Sequence, residues 1–204
     1  MAVGCPRCGR EYDVTLFEFG RTLWCTCGAR VAAEPRVRSL GAGEPRFFAD
    51  AMLGRLARWL RTLGFDCAYE SEIGDEELVR RAVAEQRIIL SRDRALPQDW
   101  RVAGIHLIAS EDLREQLREV LRTFGLVPAL RLFSRCNACN HPLRAASKDE
   151  VSERVPPFIR RAHDAFFECP GCRRVYWEGT HTQRMRRVVE EVLAGANARG
   201  AEAR

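Results

Sequence analysis

Eight of the nine cysteines in this 204-residue chain occur as four closely spaced pairs. The pairs are Cys5/Cys8, Cys25/Cys27, Cys136/Cys139 and Cys169/Cys172. Two pairs lie near the N-terminus and two lie in the C-terminal third, so each region offers four thiolates. A structural zinc ion prefers four such ligands in a tetrahedron, with no position left open for water. The spacing therefore predicts two structural zinc sites.

The same thiols could instead form disulfides, a redox-active C-x-x-C motif or an iron–sulfur cluster. The chain shows no signal peptide and no stretch of ~20 apolar residues, so we expect a cytoplasmic protein that does not enter a membrane. Disulfides are rare in that compartment, and a redox motif stands singly beside a βαβ unit. Iron–sulfur ligation uses the same thiolates and stays open. The ninth cysteine, Cys67, is expected to be a buried core thiol.

Residues beside the cysteine pairs favour zinc ribbons. Gly9, Gly28 and Asn140 each follow the last cysteine of a pair, where a tight turn needs a positive φ. Residues 12–16 and 19–24 are typical of two short strands around a glycine turn. A segment of this size cannot bury a core of its own, so bound metal must supply its folding energy.

Three aspartates lie where strands end or helices begin. Asp50 follows an apolar run, Asp75 opens a helical pattern and Asp93 follows another apolar run. Carboxylates that meet at one place would bind a hard divalent cation such as Mg²⁺ or Mn²⁺. Each has a structural alternative, since Asp75 and Asp50 could cap helices and Asp93 could begin a turn.

The elements that must position these acids alternate along the chain. We predict strands at 46–49, 65–69, 88–90 and 105–109, and helices that follow Asp50, begin at Asp75 and follow a cap at Ser110. Gly64 is expected to end the first helix. This order predicts an α/β fold with a mainly parallel sheet and helices on its faces. Ligands bind at the carboxyl ends of the strands in such sheets, where Asp50 and Asp93 lie.

The composition is that of a folded globular protein. It is 46% hydrophobic and 30% charged, which excludes wholesale disorder. The formal net charge of +5 is mild, but 33 basic residues can form a local patch for a polyanion. Arg55, Arg58 and Arg61 share helical spacing, and they could guide a nucleic-acid backbone or form a solvated helix face.

Basic and aromatic residues also alternate in the C-terminal segment. They are Arg160, Arg161, Arg173 and Arg174 with Phe166, Phe167, Tyr176 and Trp177. Such a mixture could bind a single strand by charge and stacking. The aromatic side chains could equally be the small core of the C-terminal ribbon.

Several motifs resemble one nuclease family. The stretch FADAMLGRLARWLR at 48–61 resembles the opening signature of the Mut-seven C-terminal ribonuclease family, a PIN-like group. Matching stretches follow in the expected order: GDEEL at 74–78, SRDR at 91–94, LFSRC at 132–136, CPGC at 169–172 and VYWEGTH at 175–181. The resemblance runs from about residue 46 to about residue 187. It includes the C-terminal ribbon but not the N-terminal one.

This resemblance implies a PIN-like fold and a ribonuclease that uses Mg²⁺ or Mn²⁺. Carried over, Asp50, Asp75 and Asp93 would hold the metal, with Glu76 as a fourth acid. One departure is Ala95, where PIN-like relatives often have an acid, and Asp99 could compensate for it. The candidates for contact with RNA are Arg55, Arg58, Arg94, His181 and Arg184.

We therefore expect a ribbon at 1–34, a linker at 35–45 and a nuclease domain at 46–130. A second ribbon with a helix would follow at 131–190, and then a flexible tail at 191–204. One alternative is an RNA- or ribosome-binding adaptor with a decayed nuclease site, which Ala95 favours. Another is a toxin of a toxin–antitoxin pair, although such toxins are usually single domains without ribbons.

Overall fold

The computed structural model describes residues 2–33 and 43–198. The chain divides into two compact units, one formed by Met1–Ala57 and Ala68–Ala109, and the other by Arg58–Cys67 and Ser110–Arg204. Most of the linker predicted at 35–45 lies outside the described residues. The N-terminal ribbon and the central sheet belong to the first unit.

The N-terminal ribbon consists of two antiparallel hairpins. Strands β1 (Ala2–Gly4) and β2 (Glu11–Asp13) form the first, and β3 (Thr22–Trp24) and β4 (Arg30–Ala32) form the second. The strand expected at 12–16 ends early because Asp13 caps a 3₁₀ segment, Val14–Gly20, by accepting a hydrogen bond from the Thr15 N–H at 2.9 Å. Cys5, Phe17, Cys25 and Val31 form the small ribbon core.

The central elements follow the predicted order, with one short helix, Leu96–Asp99, that was not predicted between the last two strands. They are β5 (Phe47–Ala49), α1 (Gly54–Thr62), β6 (Cys67–Tyr69), α2 (Asp75–Ala84), β7 (Ile88–Ser91), α3 (Leu96–Asp99) and β8 (Ile105–Leu107). The sheet order is β6-β5-β7-β8, and both β5/β7 and β7/β8 pair in parallel. This confirms the predicted α/β class with a parallel sheet and flanking helices.

Burial of apolar side chains fixes α2 on the sheet. Phe48 of β5 and Ile89 of β7 are fully buried in one cluster with three side chains of α2. Those side chains are Leu78, Val79 and Ala82. Each large apolar side chain buried in this way stabilises the fold by about 1.5–3 kcal/mol. Since α2 connects two strands of one parallel sheet, it must run back against them, so its first turn lies at their carboxyl edge.

Gly64 ends α1, as predicted. Its φ is +100°, and its N–H donates to the carbonyl oxygen of Arg61 at 3.0 Å. A Cβ at this position would lie 2.5 Å from the carbonyl oxygen of Arg131. Glycine is therefore required both for the backbone conformation and for the close approach of another segment of the second unit.

The second unit combines helices with a three-stranded antiparallel sheet. Its elements are α4 (Leu113–Thr123), β9 (Arg144–Ala146), α5 (Pro157–Ala162), β10 (Phe166–Glu168), β11 (Val175–Trp177) and α6 (Thr180–Ala198). The strand order is β11-β10-β9, and α4 packs against α6. The tail expected from residue 191 is helical as far as Ala198, and residues 199–204 lie outside the described part.

The cap expected at Ser110 is wrong by two residues. Asp112 is the N-cap of α4, and its carboxylate accepts hydrogen bonds from the N–H groups of Arg114 and Glu115 at 3.0 and 3.1 Å. Ser110 instead accepts one from the Asp112 N–H at 3.1 Å. Ser110 therefore binds the backbone of Asp112, and Asp112, which is nearer the helix, supplies the cap.

Within the residues that the structure describes, no helix combines the length and the apolar character needed to cross a bilayer.

Candidate functional site

Asp50 is held at the carboxyl end of β5. Its backbone N–H donates to the Leu90 carbonyl oxygen at 2.9 Å, which extends the β5/β7 pairing by one residue. The side chain is 5% exposed, and its Oδ1 accepts a hydrogen bond from the Ala51 N–H at 2.5 Å. The cap expected as an alternative is therefore present, and it fixes the carboxylate at the sheet edge.

Ser91 orients Asp50 from the neighbouring strand. Its hydroxyl is fully buried and donates to Asp50 Oδ2 at 2.5 Å. Ser91 Oγ also accepts a hydrogen bond from the Asp93 N–H at 2.9 Å. Both oxygens of Asp50 thus have a fixed donor, and each retains a lone pair for a cation.

Asp93 lies two residues beyond the end of β7. Its Oδ1 accepts a hydrogen bond from the Ala95 N–H at 2.8 Å, so it also forms the turn that sequence reasoning offered as the alternative. Because β5 and β7 are parallel, Asp50 and Asp93 lie at the same edge of the sheet.

Asp75 is the first residue of α2 and is not its cap. Gly74 occupies the N-cap position, and no side-chain hydrogen bond caps this helix. The capping alternative for Asp75 is therefore wrong, and its carboxylate stands free of that role. Its pKa is raised, first by burial and then by the negative charges of Asp50, Asp93 and Asp99. The negative charges of three neighbouring aspartates therefore act on the Asp75 carboxyl.

Asp99 stands one helical turn after Ala95. Its N–H donates to the Ala95 carbonyl oxygen at 2.9 Å, so the two residues share one face of the local turn. Asp99 contributes to the field at Asp75, as do Asp50 and Asp93. Asp99 is thus an acid whose charge reaches Asp75, four residues after Ala95.

Glu76 has a different partner from the aspartates. Its Oε2 lies 3.3 Å from Nη1 of Arg21 in the N-terminal ribbon, and both side chains are more than half exposed. Glu76 is absent from the charges that raise the pKa of Asp75. Asp99, and not Glu76, is therefore among the charges that act on Asp75.

Among the described residues, only the two cysteine sets bring three or more ligand atoms within 4.8 Å of one another. The oxygens of the aspartates do not form such a tight set within the described part of the chain. Mg²⁺ keeps several water molecules and is usually held by one or two carboxylates together with substrate phosphate. The donor set therefore suits a hydrated hard cation.

The cysteine sets have the geometry of zinc sites. In the N-terminal set, Sγ atoms lie 3.6 Å apart for Cys5/Cys27 and 3.5 Å apart for Cys8/Cys25. The second set gives 3.5 Å for Cys136/Cys172 and 3.2 Å for Cys139/Cys169. A tetrahedron with Zn–S bonds of about 2.3 Å has sulfur separations of about 3.8 Å. Both clusters are therefore compatible with zinc.

The tight turns at the cysteine pairs, called knuckles below, share backbone features. The N–H groups of Cys5, Cys136 and Cys169 donate to the carbonyl oxygen five residues later, at 2.8–2.9 Å. The predicted positive φ is confirmed at three of the four turns, with values of +71° at Gly9, +81° at Gly28 and +72° at Asn140. Sequence reasoning missed the fourth turn, because Arg173 occupies it with φ +63°.

Tyrosine hydroxyls support one thiolate in each cluster. Tyr176 Oη lies 3.0 Å from Cys136 Sγ, and burial followed by this hydrogen bond raises the pKa of Tyr176. Tyr12 is hydrogen-bonded to Cys25 in the same way, which raises the pKa of the phenol. Each tyrosine follows the last cysteine of one pair by four residues and bonds to the first cysteine of the other. That spacing is a signal which sequence reasoning overlooked.

The candidates for RNA contact are all exposed. Arg55 and Arg94 lie in the first unit, and Arg58, His181 and Arg184 lie in the second. His181 and Arg184 belong to the first turns of α6, so their expected helical spacing is present.

Arg61 does not belong to an exposed stripe. It is 3% exposed and donates to the carbonyl oxygens of Cys67 at 2.7 Å, Asn137 at 3.2 Å and Ala138 at 2.8 Å. A spacing of three residues falls behind the helical repeat by about 60° each time, so Arg61 is turned by about 120° from Arg55. It fastens α1 to the C-terminal zinc knuckle and is not available to a nucleic acid.

The aromatic residues of the C-terminal sheet lie partly in its core and partly on its exposed face. Phe166 is buried with Val151 and Val155, and Trp177 packs against this cluster, so the core interpretation is correct for both. Phe167 is 40% exposed on the opposite face of β10.

Glu168 is a buried acid of the same sheet that sequence reasoning missed. It is 1% exposed and pairs with Arg144, with Arg154 at 2.8 Å and with Arg173 at 2.9 Å. Burial raises its pKa, but the three guanidinium groups outweigh burial and hold it below its ordinary value. Arg173 is therefore ion-paired within the ribbon, and its side chain is 69% exposed.

An α/β sheet with carboxylates at its carboxyl edge, together with two four-cysteine clusters, defines the class of this protein. A family model described as the Mut7-C RNAse domain matches residues 45–189, well over half of the chain. The chain belongs to this family, which confirms the resemblance and indicates a nuclease-type function with RNA as the implied substrate class. No curated protein and no solved structure gives a significant match.

Proposed function

We propose that the protein is a ribonuclease that depends on a divalent cation held by Asp50, Asp75, Asp93 and Asp99. The observation that carries the proposal is the placement of Asp50 and Asp93 at one edge of the parallel sheet, where their charges and that of Asp99 cause a repulsion that, with burial, raises the pKa of Asp75. A fold gains nothing from such repulsion, whereas a bound Mg²⁺ or Mn²⁺ would relieve it. Family membership supplies the nuclease class.

The cation would lower the pKa of a bound water and stabilise the charge that develops on the leaving oxygen. The protein positions its own groups for this reaction. Ser91 and the Ala51 N–H hold the Asp50 carboxylate still, and Ser91 also binds the backbone of Asp93. Asp75 and Asp99 approach from two helices. Hydrolysis by this route would leave a 5′-phosphate and a 3′-hydroxyl, as the family resemblance implies.

Exposed basic side chains would attract the phosphate backbone of the RNA. Arg94 directly follows Asp93, and Arg55 lies in the first turn of the helix that follows Asp50. Both suit contact with phosphate. In the second unit, His181 and Arg184 offer a further pair on one face of α6, and Arg58 lies exposed on α1. We also infer a cytoplasmic location, because thiolates in metal-binding geometry need a reducing compartment.

The test is cleavage of end-labelled single-stranded and hairpin RNA in Mn²⁺, Mg²⁺ or EDTA. The wild type should cut with either cation and not in EDTA. Asp50→Asn/Asp93→Asn should abolish cutting, and Asp99→Asn should reduce it. Glu76→Gln is the matched control, because this acid pairs with Arg21 and should leave the rate unchanged.

The rival function is a non-catalytic RNA-binding adaptor, which Ala95 favours. The adaptor predicts that wild type and the double Asn variant bind RNA alike and cut nothing, with zinc retained in both. Loss of cutting on Asp50→Asn/Asp93→Asn substitution while RNA binding survives would exclude it.

A further inference from the structure

Trp24 is an exposed aromatic side chain that the ribbon does not use for its own core. It is 65% exposed at the end of β3, whereas the core contains Cys5, Phe17, Cys25 and Val31. Successive side chains of a strand point to opposite faces, so Trp24 and Thr22 share the face away from Leu23. Arg30 lies directly across from Trp24 in β4 and is on that face too.

The face that carries Trp24 is the one that lies on α3. Thr22 Oγ1 donates to the Gln98 carbonyl oxygen at 2.8 Å, and Arg30 Nη2 donates to the Pro97 carbonyl oxygen at 3.4 Å. Arg30 also donates from Nε to Thr22 Oγ1 at 3.2 Å, which braces the hairpin.

These contacts show which element the hairpin rests on. Thr22 and Arg30 bind carbonyl oxygens of α3. This helix ends at Asp99 and directly follows the segment that contains Asp93 and Arg94. Trp24 therefore belongs to a hairpin that packs on the helix that carries Asp99.

We propose that Trp24 is a stacking platform for one base of single-stranded RNA beside the aspartate cluster. This inference rests on the proposed nuclease function. Every base has a flat face that an aromatic ring can cover, and nearby cations hold the phosphates. Arg30 lies across from Trp24 in the hairpin, and Arg94 is exposed in the segment that directly precedes α3.

The side chains around Trp24 favour RNA as the molecule that binds this surface. An apolar protein partner would need a continuous apolar patch, but the neighbour of Trp24 on its face is a guanidinium. An aromatic ring beside arginines is the arrangement that binds unpaired nucleotides. A base in a duplex is already stacked and cannot lie flat on the ring, so the platform should favour single strands.

The experiment measures the binding of a short labelled oligouridylate and of a labelled blunt-ended RNA duplex to full-length, zinc-loaded protein by fluorescence anisotropy. Ca²⁺ replaces Mg²⁺ and Mn²⁺, and intact probe is checked on a gel. Trp24→Leu should weaken single-strand binding about tenfold and leave duplex binding unchanged. Trp24→Tyr keeps a ring and should bind within about threefold of wild type. Leu16→Ala changes another exposed apolar residue of the ribbon and should have no effect.

Unchanged single-strand binding by Trp24→Leu would overturn the platform and assign the exposed ring to another occupant. An equal loss for oligouridylate and duplex, or a loss in Trp24→Tyr as large as in Trp24→Leu, would overturn it as well. Metal-dependent cleavage by the wild type is measured on the same preparation. Intact cleavage with unchanged binding defeats only the platform, whereas no cleavage by the wild type defeats the proposed function.

Discussion

Asp75 is a charged residue whose surroundings oppose its charge. Burial and three neighbouring aspartates raise the pKa of its carboxyl. A raised pKa in the folded state means that this group favours folding below its pKa in the unfolded chain. The contribution is lost as the pH rises through the folded pKa. At neutral pH and without metal, the ionised carboxylate therefore opposes folding.

We predict that Asp75→Asn makes the protein more stable at pH 7 when Mg²⁺ and Mn²⁺ are absent. The gain in unfolding free energy should be no more than about 1 kcal/mol, because the side chain is partly exposed. The gain should vanish below the pKa of an ordinary aspartate, about 3.9. Thermal unfolding in EDTA-free buffer without Mg²⁺ or Mn²⁺ measures it at both pH values. Added Mn²⁺ should stabilise the wild type but not the variant. A less stable variant at pH 7 without metal would contradict the repulsion described here.

Ser91 acts on the site through Asp50. Its buried hydroxyl is one of two donors that fix this carboxylate. Ser91→Ala should lower Mn²⁺ affinity or the cleavage rate about 10–100-fold, as expected when a group that orients a metal ligand is removed. Ser110→Ala is the control, since that hydroxyl serves only the start of α4. Equal rates in wild type and Ser91→Ala would show that Asp50 needs no such support.

The two ribbons should respond separately to the loss of their phenol hydrogen bonds. Tyr12→Phe removes the bond to Cys25, and Tyr176→Phe removes the bond to Cys136. Each change should speed zinc loss to a chelator from its own site, by about tenfold, and leave the other site unchanged. A coloured chelator that reports two release phases measures both rates. Release that is identical in wild type and both variants would contradict a role for the phenols.

Arg61 links α1 to the C-terminal knuckle through three carbonyl oxygens. Arg61→Met keeps the volume but leaves those buried oxygens without their charged donor, so we expect a loss of about 3 kcal/mol in unfolding free energy. Arg55→Met on the same helix is exposed and should change stability by less than about 0.5 kcal/mol. Chemical denaturation of zinc-loaded protein compares them. Similar values for the two variants would refute the anchoring role.

Local patterns account for what the sequence could predict. Cysteine spacing gives both clusters, and apolar runs give the strands that end at Asp50 and Asp93, because both features depend on neighbours in the chain. Asp99 joins the cluster only because α3 turns after Asp93, and a four-residue helix leaves almost no periodic signal. Arg61 was misplaced because a spacing of three residues does not stay on one helix face.

At the scale of the whole molecule, each compact unit contains one four-cysteine cluster. The N-terminal ribbon belongs with the sheet, and its Arg21 lies 5.7 Å above the ring of Trp100 and pairs with Glu76. Its Gly20 carbonyl oxygen accepts a hydrogen bond from the Arg101 N–H at 2.6 Å. This ribbon therefore contacts the elements that carry Asp75 and Asp99, and it is more than a tethered appendage.

The central claim is that the aspartate edge of the first unit binds a hard divalent cation. The most direct measurement is a calorimetric titration of Mn²⁺ into protein whose cysteine sites are already loaded with zinc. Saturable binding by wild type and Glu76→Gln, lost in Asp50→Asn/Asp93→Asn, is the predicted result. Equal Mn²⁺ uptake by all three proteins, or none by the wild type, would contradict the claim.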